Sequence, residues 1–257
     1  LAKKRNKSTK LGKFIINTLL LVVCLVIAVV YGPIILRKIS YHTPNYRAFG
    51  VSVPAGYPIT GIDVSRYQGK VDWEKVKGMR SGKLKVNFVF AKATEGLSGE
   101  DTYFGRNQKQ CAKHDIPFGA YHYFIPSLDA TKQADFFVSK YKPKKGNLPP
   151  VADIEKTFGL SGPQIRKYLK VFLDRVEAKS GVKPIIYTYH SFYRDYLSEG
   201  FDDYTFWLAH YGPGKPHDQP WTFWQFSEKS TISGINHLVD LNVFKGDSAA
   251  FEKMRVR

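Results

Sequence analysis

The chain is poor in the residues that would place it in several functional classes. Only two cysteines occur among 257 residues, and Cys24 lies inside the most apolar run, so an internal disulfide is not expected and Cys111 reads as a small buried hydrophobe. No paired Cys ligands and no H-E-x-x-H spacing occur among seven histidines, which argues against a structural or catalytic zinc site. Acidic residues are absent from the first 47 positions, which carry nine Lys/Arg. The remainder holds 30 basic against 22 acidic residues, a net of +8 out of the total +17. Half of the basicity is therefore N-terminal. With 15% aromatics and no basic low-complexity tract beyond that segment, the composition describes a globular protein near an anionic surface rather than a nucleic-acid binder.

A long hydrophobic run is present. From Phe14 to Leu36 no residue is charged, and at about 1.5 Å per helical residue this run crosses roughly 30 Å of hydrocarbon. Lys3, Lys4, Arg5, Lys7, Lys10 and Lys13 precede it, while only Arg37 and Lys38 follow closely, so the positive-inside rule keeps residues 1–13 cytoplasmic and sends the rest outward. A cleaved signal peptide is the competing reading. The run exceeds the usual 7–15-residue apolar region and no A-x-A-like site follows, which favours an uncleaved single-pass anchor in a bacterial cytoplasmic membrane, with the outer domain periplasmic or extracellular. The sequence starts at Leu1 rather than Met, so further residues are expected upstream. Residues 37–57 hold no sustained period and read as a tether, leaving 58–257 as the outer domain.

Beyond Pro58, strand-like and helix-like segments alternate. Strands are expected at Ile59–Ser65, Val86–Ala93, Pro117–Phe124, Val151–Glu155 and Pro184–Tyr189, with helices between them. The clearest helix repeats Ile165, Tyr168, Leu169, Phe172, Leu173 and Val176 at three- and four-residue steps and stops at Gly181. Three further strands, Thr205–Tyr211, Thr222–Phe226 and Val239–Val243, follow without helices. Eight strands close a barrel, so the fold class is α/β: a modified TIM-like (β/α)5β3 barrel preceded by one transmembrane helix.

In such barrels chemistry sits at the carboxyl ends of the strands. There the sequence places Asp63, Lys92 with Glu95, Tyr121-His122-Tyr123, Asp153-Ile154-Glu155, Tyr187 with Tyr189 and His190, Trp207, His210, Trp224-Gln225 and Asp240. Strand alternation projects Asp153 and Glu155 to one side and Ile154 to the other. Two carboxyls so close in a partly dry mouth do not both ionise easily, and the one that keeps its proton can act as a general acid on a glycosidic bond. Alone, the pair reads equally as a solvated strand end or an ion-pair partner. Its convergence with Asp63 and Asp240 from other strands favours chemistry. Lys92 and Glu95 read as an internal ion pair supporting Asp63, and His122, alternating away from its neighbours, as a hydrogen-bonded structural histidine.

The runs Gly61-Ile62-Asp63-Val64-Ser65, Phe90-Ala91-Lys92-Ala93-Thr94-Glu95-Gly96, Gly119-Ala120-Tyr121-His122-Tyr123-Phe124, Asp153-Ile154-Glu155, Pro184-Ile185-Ile186-Tyr187-Thr188, Trp224-Gln225 and Asp240-Leu241-Asn242 resemble, in order, the glycoside hydrolase family 25 lysozymes, the Chalaropsis-type N-acetylmuramidases. The resemblance implies a flattened (β/α)5β3 barrel that cleaves the β-1,4 bond between N-acetylmuramic acid and N-acetylglucosamine. It implies Glu155 as general acid, Asp153 beside it, and Asp63 and Asp240 completing the acidic cluster. Tyr121, Tyr187, Gln225 and Trp207 become candidate substrate contacts. No metal or organic cofactor is called for, the partner is the peptidoglycan glycan strand, and the protein is expected to be monomeric. The rivals are a non-catalytic peptidoglycan-binding or scaffold protein using the same groove, and a chitinase-like hydrolase on a related barrel.

Overall fold

The computed structural model describes residues 14–21, 24–27, 29–31 and 46–257 except 218. The chain divides into two units, Leu1–Asn45 and Tyr46–Arg257. In the first, helix α1 spans Phe14–Tyr31 with a mean hydropathy of 2.8, and none of its described residues is buried. It is long and apolar enough to cross a membrane, a property that a signal sequence and an anchor share. The basic segment 1–13, the last residues of the expected span and positions 37–45 of the expected tether lie outside the described residues.

The second unit begins twelve residues before the boundary expected at Pro58. Strands β1 (Tyr46–Ala48) and β2 (Val51–Val53) pair antiparallel as a hairpin. Its two turn residues, Phe49 and Gly50, both have positive φ, 54° and 79°, the backbone that a right-twisted two-residue hairpin requires. Ala48, Phe49 and Val53 are buried in the main core, and Thr231 N donates to Phe49 O at 2.8 Å. Residues 46–53 are thus part of the folded unit rather than tether. Two strands of three residues are too short to produce a readable period.

Eight strands close the barrel: β3 (Thr60–Val64), β4 (Val86–Glu95), β6 (Phe118–Tyr123), β7 (Val151–Asp153), β8 (Ile185–Tyr189), β9 (Thr205–Ala209), β10 (Phe223–Ser230) and β11 (Val239–Phe244). The short β5 (Gly99–Glu100) folds back on β4. Seven barrel strands run parallel, and β11 closes the ring antiparallel to both β10 and β3. Helices α2 (Trp73–Gly78), α3 (Phe104–Lys113), α4 (Ala130–Lys140) and α5 (Gly162–Ser180) follow the first four barrel strands, and α6 (His190–Phe192), continued by a π turn over Tyr193–Leu197, follows the fifth. The (β/α)5β3 order expected from the sequence is the order of the molecule.

Local chemistry explains the elements. Helix α5 starts with a Ser161/Gln164 capping box and Pro163 in its first turn, buries Ile165, Leu169, Phe172, Leu173 and Val176, and ends at Gly181 with φ 71°. Each barrel strand sends alternate residues outward to the helices and inward to the barrel axis. The outward set, including Ile62, Val89, Ala120, Ile154, Ile186 and Leu208, belongs to the large core shared with the helices. The inward set, including Phe88, Phe90, Val151, Ile185, Trp207, Phe223 and Phe244, fills the barrel, and Phe251 from the final helix α7 (Ser248–Met254) packs against Phe88 and Phe244. The amino-terminal end of the barrel is therefore a dry aromatic plug, and polar inward residues are confined to the carboxyl ends.

Two inward glycines make room for those rings. A Cβ on Gly61 would stand 2.4 Å from the Phe88 ring, and one on Gly119 would stand 2.5 Å from the Phe90 ring. Because both rings are fully buried among other aromatics, the collision has no cheap relief. Gly61→Ala and Gly119→Ala are each expected to lower stability by about 1–3 kcal/mol, seen as a lower urea midpoint at unchanged m-value.

Candidate active site

The carboxyl-end mouth opens into a cleft of about 200 Å³ that contains Asp63, Asp153, Glu155 and Asp240 together with Tyr121, Tyr187, Trp207 and Gln225. All eight residues singled out from the sequence thus converge on one concavity. An adjoining lobe of about 220 Å³ shares the four acids and Tyr121 and adds Tyr67, Lys92 and Tyr123. The acids stand in the middle of one groove with a lobe on either side.

The antiparallel pairing of β11 with β3 sets Asp240 directly opposite Asp63, and the two carboxyls hydrogen-bond each other. Asp63 is buried, and its Oδ2 also accepts from Asn242 Nδ2 at 2.8 Å and Gln225 Nε2 at 2.9 Å. These two amides are held in turn: Trp207 Nε1 donates to Asn242 Oδ1 at 2.7 Å, while the Tyr187 and Tyr211 hydroxyls donate to Gln225 Oε1 at 2.8 and 2.6 Å. Burial raises the Asp63 pKa against these donors. Burial, with the Asp63 charge alongside, pushes Asp240 up to about 9, so at neutral pH Asp240 carries the proton and donates it to Asp63.

Asp153 ends β7, and Glu155 follows two residues later on the same side, while Ile154 is buried on the helix side. Burial is the leading cause that raises both carboxyls; repulsion from Glu155 adds to it for Asp153. Asp153 is only 5% exposed, and its Oδ1 has no hydrogen-bond partner. Lys92 and Glu95 form the expected ion pair at 2.5 Å, with Lys92 over the Tyr123 ring. The charge of Lys92 acts on Asp153 and Glu155, favouring their ionised forms, and Lys92 lines the lobe that also holds Asp63.

His122 is the structural histidine expected, fully buried between Thr94 Oγ1 at 2.8 Å and Gln133 Oε1 at 3.3 Å and stacked on Phe172; burial lowers its pKa to about 3. Trp224 faces the outer core and donates to His210 O at 2.8 Å. Cys111 is buried, as expected. Among the described residues no group of three His, Cys, Asp or Glu is arranged to hold a metal ion.

Three residues escaped the sequence reading as site residues: Asn242, which holds Asp63 from beneath the cleft, and the cleft residues Tyr211 and Glu228. Asn242 is two positions from Asp240, so strict alternation would have found it, and Tyr189, expected at the rim with Tyr187, lines the cleft. Tyr211 was placed at the end of an expected strand without a role, although it too follows Trp207 in steps of two. Glu228 is reached only through a strand irregularity that no period announces.

A family model for Glycosyl hydrolases family 25 matches residues 62–235. The chain is 40% identical over 221 residues to the uncharacterized protein YegX of Escherichia coli O6:H1, covering 84% of this chain and 81% of that one. It is 34% identical over 223 residues to lysozyme M1 of Streptomyces globisporus, covering 80% and 74%. A solved family 25 glycosyl hydrolase from Bacillus anthracis superposes with a TM-score of 0.73 at 29% identity, over 84% of this chain and 99% of that one.

The Asp63–Asp240 pair has a consequence for stability. In the unfolded chain Asp240 ionises near pH 4, whereas in the folded protein it holds its proton to about pH 9, so the folded state binds more protons across that window and stability falls as pH rises through it. Asp240→Asn removes this penalty. The variant is expected to be more stable than the parent at pH 7, more so toward pH 9, and no more stable below pH 4, as read from urea midpoints over that range.

Proposed function

The chain belongs to glycosyl hydrolases family 25, and from that premise we propose that it is a muramidase hydrolysing the β-1,4 bond between N-acetylmuramic acid and N-acetylglucosamine in peptidoglycan. The observation that carries the reading is the pair Asp153 and Glu155, two carboxyls raised by burial on one face of β7, with one Asp153 oxygen unpartnered beside the groove.

Glu155 is the general acid. It is half-buried, and burial raises its pKa, so its proton is held more tightly than on a free glutamate and lies within the groove where a leaving glycosidic oxygen would sit. Asp153, buried beside it, is placed to accept the N–H of the sugar's 2-acetamido group through its free Oδ1. That contact turns the acetamido oxygen toward the anomeric carbon and stabilises the positive oxazolinium formed when that oxygen attacks and the bond to the leaving sugar breaks. Water then opens the oxazolinium, giving its proton to Glu155. The outcome is retention. Inversion would need a second carboxyl across the ring with a water between, and Asp153 and Glu155 share one strand face. Asp63, fixed by Asn242 and Gln225 and bonded to protonated Asp240, supplies the negative floor that favours the cationic transition state. Tyr121, Tyr187 and Trp207 supply apolar ring faces and hydroxyls to the sugar.

The same reading places the protein in the cell envelope. We propose that α1 is an uncleaved anchor in the cytoplasmic membrane, supported by six Lys/Arg before it against two soon after, and that the barrel unit lies on the periplasmic or extracellular side as a monomer. If so, the full-length chain stays in the membrane fraction after alkaline carbonate extraction, whereas a cleaved leader would release a shorter, soluble form.

Glu155→Gln is expected to lower kcat for peptidoglycan by about 10²–10⁴-fold while strand binding persists. Turbidity clearing by wild type but not by the variant, with newly formed N-acetylmuramic acid reducing ends by mass spectrometry and the β-anomer appearing first by NMR, is the expected result. A non-catalytic binding protein would clear nothing in either form, and release of the α-anomer first would overturn the acetamido mechanism.

A further inference from the structure

The cleft contains a fifth carboxylate that hydrolysis does not use. Where β10 passes the mouth its pairing with β11 shifts: Gln225 pairs with Asn242, but Ser227 rather than Phe226 pairs with Leu241. The extra residue is a β-bulge, which carries the alternation over by one position. In a regular strand Gln225 and Glu228 would point to opposite faces; here both line the cleft, on the side of Asp240. Bulges beside active sites commonly re-aim one side chain, and the side chain re-aimed here is acidic.

Its surroundings in the groove are acidic and aromatic. Glu228 is exposed and joins none of the ion pairs formed among the described residues, in a chain with 39 basic side chains. This lobe of the groove is lined by no Lys, Arg or His; Tyr189, Tyr211 and Asp240 are its partners, and the Glu228 charge adds to the causes that raise all three. The unpartnered Oδ1 of nearly fully buried Asp153 faces the same cleft and takes the acetamido N–H in the proposed mechanism, so the cleft already draws one N–H donor from the ligand. Among the described residues no donor set for a metal ion exists to compensate the charge. An N–H-bearing cation on the ligand would complement the Glu228 charge in this lobe.

We propose that Glu228 is a specificity-determining residue that accepts a primary ammonium group carried by the glycan strand, with the Tyr189 and Tyr211 rings beside it. The inference rests on the muramidase reading and deepens it by adding a charge preference. Two substrate features carry such a group: a de-N-acetylated hexosamine, and the free side-chain amine of a stem peptide. Either forms a charge-assisted hydrogen bond with a carboxylate, and aromatic faces add cation–π attraction. For a solvent-accessible pair the gain corresponds to roughly threefold to fivefold in affinity, screened by salt.

The test uses the full chain and three strand preparations: peptide-free and fully N-acetylated; peptide-free and partly de-N-acetylated; and fully N-acetylated with amine-bearing stem peptides. For wild type, kcat/KM on the second or third preparation is expected to exceed that on the first by about threefold at low ionic strength, and to lose the excess in 0.5 M salt. Which preparation is preferred identifies the source of the ammonium. In Glu228→Gln the ratio is expected to fall to about one, and in Glu228→Lys below one. An equal ratio in wild type and Glu228→Gln overturns the proposal. If wild type cleaves none of the strands, the muramidase reading fails instead. The same ratios are then taken from calorimetric binding to wild type and Glu228→Gln, where equal wild-type affinities for all three preparations, or no change on substitution, overturn the ammonium preference on its own.

Discussion

One closing strand sets the electrostatics of this molecule. Because β11 runs against its neighbours, its pairing with β3 brings Asp240 face to face with Asp63, two carboxyls that cannot both be charged in so dry a place. Asp240 keeps its proton, and Asp63 accepts from it and from the amides of Asn242 and Gln225. Through those amides the order reaches Trp207, Tyr187 and Tyr211. The groove is thus organised before any sugar enters, the condition under which fixed dipoles stabilise a developing positive charge most effectively.

That arrangement opposes folding, and the rest of the barrel offsets it. Each strand that ends in a polar group first contributes apolar ones to the same face: Gly61 before Asp63, Gly119 before Tyr121, Val151 before Asp153, Ile185 before Tyr187, and, in reverse order, Phe244 behind Asn242 and Asp240. A period of two serves a dry floor and a charged mouth with the same backbone. The glycines keep the rings of Phe88 and Phe90 seated beneath the acids, so a loss of floor packing would be felt at the mouth.

This layering explains what could be read without coordinates. The eight strands, the helices after the first five and the pit formed by Asp63, Asp153, Glu155 and Asp240 follow from alternation, capping and the rule that barrel chemistry collects at carboxyl ends. What escaped lacked a period. The hairpin over 46–53 is made of two three-residue strands, α7 lies beyond the last strand in a stretch too short to show a face, and Glu228 owes its position to an inserted residue. The partner of Lys92 was legible, but its action on Asp153 and Glu155 comes from the closure of the sheet around the axis, which spacing along one strand does not contain.

The two ends of the barrel unit are not equivalent. The incoming chain docks through Phe49 on Thr231, in the connection between β10 and β11 at the open end, while Arg257 emerges near Asn147 at the sealed one, where Val256 N bonds Asn147 O. The hairpin turn at Phe49 and Gly50 thus borders the doorway at the open end. A cargo appended after Arg257 would hang behind the molecule and leave that doorway clear.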